Sequence, residues 1–147
     1  MWHLLLIALL LSTVTVVIHS LGSYAVFYWV LTVMKKRPLP KLLRGWWLML
    51  RFVVTLMLLH AIEVAVWAQF YFHEHCFPDL GTAYYFSLTS YTTVGYGDVV
   101  LVRPWRFLGG WEAMLGVLMF GWSTAALATL LHHLHDIRLR EFGAHLL

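Results

Sequence analysis

The sequence predicts an all-α membrane protein with three transmembrane helices and one short re-entrant helix, and three observations carry that prediction. Of its 147 residues, 61% are hydrophobic and only 12% are charged, whereas soluble domains carry about 25% charged residues. Apolar stretches over residues 4–34, 46–72 and 107–131 each reach the ~20 residues that a helix needs to cross a hydrocarbon layer of ~30 Å. Between the last two lies an uncharged segment too short to span, followed by a glycine-rich turn.

The first helix is expected over residues 4–34. Trp2 to Ile18 is apolar and Ser20-Leu21-Gly22 has cleavage-like small residues, but no positive segment precedes it, so it reads as a retained helix rather than a signal peptide. Gly22-Ser23 is the expected place for a break. Residues 35–45 form a basic loop in which Pro38 and Pro40 prevent either neighbouring helix from continuing. A second helix follows from residue 46. His73 to Leu80 is polar and turn-like. Gly81 to Thr93, rich in Tyr, Phe, Ser and Thr, fits a half-helix capped by Asp79 that enters the membrane and stops midway. The third spanning helix ends near residue 131, leaving 132–147 as a short tail.

Orientation follows from the basic residues. Lys35, Lys36, Arg37, Lys41 and Arg44, with Arg138 and Arg140 in the tail, put seven on one face, and Arg51 can snorkel to it; residues 73–106 carry only Arg103 and Arg106. The 35–45 loop and the C-terminus are therefore expected in the cytoplasm, and the N-terminus outside. Trp2, Trp46, Trp47 and Trp105 fall where interfacial aromatic belts form. A net charge of +3 with pI near 9.2 sits in these short flanks, which argues for topology rather than for nucleic acid. The single cysteine, Cys76, permits no intrachain disulfide. The loops are too short for an attached enzyme domain, so no catalytic residues are expected.

The chemistry concentrates in Thr92-Thr93-Val94-Gly95-Tyr96-Gly97-Asp98. Non-helical backbone at membrane depth is tolerated only where it is buried in protein or lines a water-filled path. Glycines at alternate positions, Gly95 and Gly97, open backbone conformations closed to other residues, so that successive carbonyls can turn toward one axis. One chain supplies a single line of oxygens, and several copies around an axis would supply rings that replace an ion's hydration shell.

TTVGYGD resembles the selectivity filter of potassium channels, and the order of helix, half-helix, filter and returning helix over residues 46–131 resembles that family's whole pore module. The resemblance implies a homotetrameric pore, with three identical subunits around each chain and K⁺ bound by the carbonyls of Thr93, Val94, Gly95 and Tyr96, the Thr93 hydroxyl and the adjoining Gly97. It implies no cofactor beyond K⁺. The half-helix would aim its negative end at the ion path.

Tyr85 stands where many members carry a tryptophan bonded to the terminal aspartate of the filter; its phenol either reaches Asp98 or packs within the half-helix. Thr89 and Thr92 are further candidate filter supports, the Thr89 hydroxyl either joining that network or filling space. Val99-Val100-Leu101 departs from the family, whose proline here arrives only at Pro104. In the last helix, Gly116 and Gly121 are candidate hinges or close-packing points. No helix carries arginine at every third position, so gating is expected to be intrinsic or to come from lipid, pH or a partner.

Intramembrane ionisable groups single out His60, Glu63 and Glu112 as gating candidates, with His60, Glu63 and Trp67 on one helix face; the alternative is a buried polar pair satisfied by a neighbouring helix. His73, His75 and Cys76 could ligate a metal or form an ordinary loop. His132, His133 and His135 could sense pH or complement the dipole at the end of the last helix. Glu74 and Asp79 could concentrate cations beside Asp98. The expected function is passive K⁺ conduction across a plasma membrane. The alternatives are a non-selective cation channel, a haem or metal redox protein with His19 and His60 as ligands, and an accessory subunit of another pore.

Overall fold

A computed structural model describes residues 2–36 and 42–144, with side chains described for 2–33 and 46–136. Four helices follow in order: α1 (Trp2–Lys36), α2 (Leu42–His73), α3 (Leu80–Tyr91) and α4 (Arg106–Ala144). No strand occurs among the described residues. Within α1, α2 and α4, the segments Trp2–Val33, Trp46–His73 and Arg106–Asp136 are long and apolar enough to cross a membrane. α3 has 12 residues and spans only about 18 Å at 1.5 Å per residue, so it cannot cross.

The boundaries differ from expectation in three places. α1 passes unbroken through Gly22-Ser23, because Gly22 lies against Leu59 of α2 and a straight helix keeps that contact. α2 begins at Leu42, inside the stretch expected to be loop. Pro38, Pro40 and Lys41, with Arg37, lie outside the described residues. α4 runs on past Leu131 to Ala144, so His132, His133 and His135 sit within a helix rather than at its end. They cannot complement its C-terminal dipole, and His132 Nδ1 lies 2.9 Å from the carbonyl of Ala128 one turn earlier.

α1 is apolar on most of its circumference, as a lipid-exposed helix must be, but every fourth residue from Leu11 through Thr15, His19 and Ser23 is buried. That stripe packs on α2 and α4. The Trp67 indole donates to Thr15 Oγ1 at 3.1 Å, and the Trp111 indole donates to Ser12 Oγ at 2.8 Å. α3 sits in the angle between α2 and α4, where Phe86 and Tyr91 join Trp67, Tyr71, Leu108 and Leu115 in a buried cluster. At the opposite end of the bundle Phe52, Val30 and Leu130 close a second cluster. There the Arg51 guanidinium stacks over Trp47 at 5.2 Å and Trp29 at 5.9 Å, a cation–π arrangement with both rings.

Candidate functional site

Asp79 starts α3 by accepting the Thr82 amide at 2.9 Å and the Thr82 hydroxyl at 2.7 Å, the N-cap geometry expected of a residue in extended conformation. The Thr82 bonds hold its carboxyl below the ordinary range, so Asp79 is committed to the cap. At the far end the Thr92 amide donates to Leu88 O at 3.1 Å and the Thr93 amide to Ser90 O at 2.9 Å. The Thr92 hydroxyl donates to Leu88 O at 2.6 Å.

Beyond this cap the backbone alternates. Thr93 (φ 62°), Gly95 (φ 49°) and Gly97 (φ 78°) are left-handed, and Val94 and Tyr96 between them are not. Left-handed residues at alternate positions can gather successive N–H groups on one side and leave the carbonyls to the other. Gly95 N–H donates to the Thr89 carbonyl at 3.0 Å, so this N–H faces α3. Thr89 thus supports the turn through its carbonyl, while its hydroxyl donates to Phe86 O at 3.0 Å within the helix. Thr93 is the non-glycine residue among the three left-handed ones, and an L-residue there costs about 1–2 kcal/mol.

Asp98 closes the segment. Its Oδ2 accepts the Tyr85 hydroxyl at 2.7 Å and its Oδ1 the Val99 amide at 3.0 Å. The Tyr85 bond holds the Asp98 carboxyl below its usual range, and Asp98 in turn pushes the Tyr85 phenol up. Val94 and Tyr96 have exposed side chains, and no atom lies within 4 Å of a Cβ built on Gly95 or Gly97. One face of the segment is therefore open in the single chain.

Behind this segment lie two fully buried carboxylates. Glu112 of α4 accepts the Tyr71 hydroxyl at 2.9 Å and the Ser87 hydroxyl. Glu63 of α2 accepts from His19 Nδ1 at 2.8 Å, from His60 Nδ1 at 3.1 Å and from the Tyr91 hydroxyl. His60 Nε2 lies 2.9 Å from Ser123 Oγ of α4. Glu63 therefore links α1, α2 and α3, and His60 adds α4. Sequence reasoning singled out both carboxylates but missed Tyr71, Ser87, Tyr91 and Ser123. The signal was spacing: Ser87 and Tyr91 share a face of α3 at i, i+4, and Glu63, Trp67 and Tyr71 do so on α2.

The two glycines of α4 differ. A Cβ on Gly116 would stand 2.0 Å from the Tyr91 carbonyl oxygen, whereas Gly121 has no atom within 4 Å. Gly116 is where α4 meets the end of α3. His73, His75 and Cys76 do not gather among the described residues: His73 Nε2 faces Gln69 Nε2 at 2.9 Å and the Cys76 thiol points at the Glu74 carbonyl. Glu74 is exposed. Leu101 is buried, and its carbonyl accepts from Arg106 Nε at 3.1 Å. The His19 and His60 ring centroids stand 5.3 Å apart, with both inner nitrogens turned to one carboxylate. No porphyrin can pass between them, so the haem reading has no room.

A protein family described as "Ion channel" matches residues 48–133, more than half of the chain. The match covers most of α2, all of α3, the 92–98 segment and most of α4, and leaves α1 outside. No curated protein and no solved structure matches the chain.

Proposed function

Because the chain belongs to the ion channel family, we propose that it is the K⁺-selective member type that the 92–98 segment describes, a homotetramer conducting K⁺ passively through rings of backbone carbonyls. The carrying observation is the left-handed backbone at every second residue, Thr93, Gly95 and Gly97, with the Gly95 amide turned back onto Thr89. With the Gly95 N–H held by α3, the carbonyls of Thr93, Val94, Gly95 and Tyr96 are left for the ion, as a filter of stacked oxygen rings requires. Four chains would close the open face around a fourfold axis. The negative end of α3 points into the same region and favours a cation there. The concentration of basic residues in 35–45 and 138–140 supports a cytoplasmic C-terminus and an external N-terminus in a plasma membrane.

Reversal potentials of the purified chain in planar bilayers, with K⁺ on one side and Na⁺ on the other, test the reading. Reversal close to the K⁺ equilibrium potential is expected, and reversal near zero would replace the proposal with a non-selective cation pore. Gly95→Ala should abolish selective current. The reason is conformational rather than steric, since a Cβ there meets nothing but an L-residue at φ 49° is disfavoured by about 1–2 kcal/mol in each of four chains.

A further inference from the structure

We propose that His19, His60 and Glu63 form a binding site for one divalent transition-metal ion of the Zn²⁺ type, inside the bundle and behind the 92–98 segment. One ring nitrogen each of His19 and His60 and a carboxylate oxygen of Glu63 all lie within 4.8 Å of one another. His19 Nδ1 and Glu63 Oε1 are 2.8 Å apart, and His60 Nδ1 and Glu63 Oε2 are 3.1 Å apart. Ligands held at ~2.0–2.1 Å from a tetrahedral Zn²⁺ are themselves a little over 3 Å apart, so these donors need only small shifts to admit an ion. Two imidazoles and one carboxylate suit Zn²⁺ or Co²⁺ rather than K⁺ or Mg²⁺. The Tyr91 oxygen, 3.3 Å from His60 Nδ1, stands beside the fourth position.

The hydrogen bonds on the outer side of the rings accommodate a cation at the centre. Ser123 Oγ lies 2.9 Å from His60 Nε2 and 3.5 Å from His19 Nε2. If both neutral imidazoles point Nδ1–H at the ionised Glu63, both Nε2 atoms are acceptors, and the single hydroxyl proton of Ser123 can satisfy only one. If both Nδ1 atoms instead bind a metal, both Nε2 atoms carry protons, and the two lone pairs of Ser123 accept them both. One hydroxyl then orients both ligands from outside, as the outer partners of metal-bound histidines do. His19 and Glu63 are fully buried, and no lysine or arginine bonds to the cluster among the described residues. A bound cation, like a proton on either imidazole, offsets the buried negative charge of an ionised Glu63.

Such an ion would bridge α1 to the segment that matches the channel family. Titration of the tag-free full chain in detergent with Co²⁺, read by visible absorption, tests the site without measuring ion flux. The expected result is the intense spectrum of tetrahedral Co²⁺, saturating at one ion per chain and displaced by Zn²⁺. It should be lost in His19→Gln and His60→Gln, weakened about 10–100-fold in Ser123→Ala, and unchanged in a His73→Ala/His75→Ala control. X-ray absorption at the cobalt edge of the unmutated chain should show two imidazoles, which keeps the test decisive if a variant fails to fold. Only the spectrum of hydrated Co²⁺ with the unmutated chain would overturn the site and leave the cluster a proton-holding hydrogen-bond network. Binding that survives in folded His19→Gln and His60→Gln would overturn it as well and assign the ion to exposed histidines.

Discussion

Replacing Gly116 with alanine should separate α4 from α3, and the structure sets the size of the effect. The new Cβ would lie 2.0 Å from the Tyr91 carbonyl oxygen and 2.9 Å from its carbonyl carbon. These are backbone atoms, so no side chain can turn aside to make room. Ordinary contact begins at 3.4 Å, and α4 must therefore withdraw by more than 1 Å, a sizeable fraction of the slack between helices packed 8–10 Å apart. Tyr91 is fully buried, ends α3, and holds Glu63 through its hydroxyl, so the displacement reaches both the turn into the 92–98 segment and the Glu63 cluster. Overpacking of this kind costs about 1–3 kcal/mol. Gly121→Ala, with no atom within 4 Å, is the matched control and gains up to about 1 kcal/mol of helix propensity. The assay is the fraction of folded, monodisperse protein after a temperature series in detergent, read by fluorescence-detected size exclusion. Gly116→Ala should melt well below the unmutated chain, with Gly121→Ala at or slightly above it. Equal melting of the two variants would refute the close-packing argument and return Gly116 to the role of a hinge.

Tyr85→Phe should raise the Asp98 carboxyl toward its ordinary range, because the Tyr85 bond is the main cause of its depression. A depressed carboxyl contributes above its unfolded value and loses that contribution as pH falls through the folded one, so Asp98 in the variant should protonate at a higher pH, measurable by carboxyl infrared titration. Glu112→Ala leaves the Tyr71 hydroxyl without its acceptor and should cost about 1–3 kcal/mol. Adding Tyr71→Phe should recover part of it, and a double-mutant cycle in thermal unfolding checks the coupling. Thr15→Val removes the acceptor of the Trp67 indole and should weaken the seating of α1 by about 0.6 kcal/mol, the average for hydrogen bonds between membrane helices, read as faster hydrogen exchange along α1.

The spanning helices and the short α3 were legible because membrane thickness converts directly into run length, and Asp79 and the 92–98 glycines are local signals whose geometry depends on their neighbours in sequence. The helix ends were less legible. Nothing in the residues after 131 breaks a helix, and the basic, polar composition that suggests a tail also suits an exposed helix. The pairing of Tyr85 with Asp98 was one of two readings, since thirteen residues and a turn separate them, and only the folded path of the segment decides between them. The partners that reach Glu63 from α1 and α3, and Glu112 from α2 and α3, lay further out of reach, because no single-helix pattern fixes the rotation of those helices about their axes. α1 shows why: three residues of its buried stripe, Thr15, His19 and Ser23, are polar, but so are Thr13 and Ser20 on its exposed side, so polarity alone does not mark the packed face.

That stripe also explains how α1 adheres to the bundle without any hydrophobic drive. Between membrane helices, lipid chains are as apolar as leucine, so association depends on close approach and on polar pairs. α1 supplies both. Gly22 brings its backbone against Leu59, while Ser12, Thr15 and His19 meet Trp111, Trp67 and Glu63. Each partner belongs to the part of the chain that matches the ion channel family, and one of them, Glu63, also holds the end of α3 through Tyr91. A helix outside the matched segment is thereby tied, through one carboxylate, to the residue that precedes Thr92. Any change in what Glu63 binds is one hydrogen bond and two residues of chain from Thr93, the first residue of the backbone proposed to hold the ion.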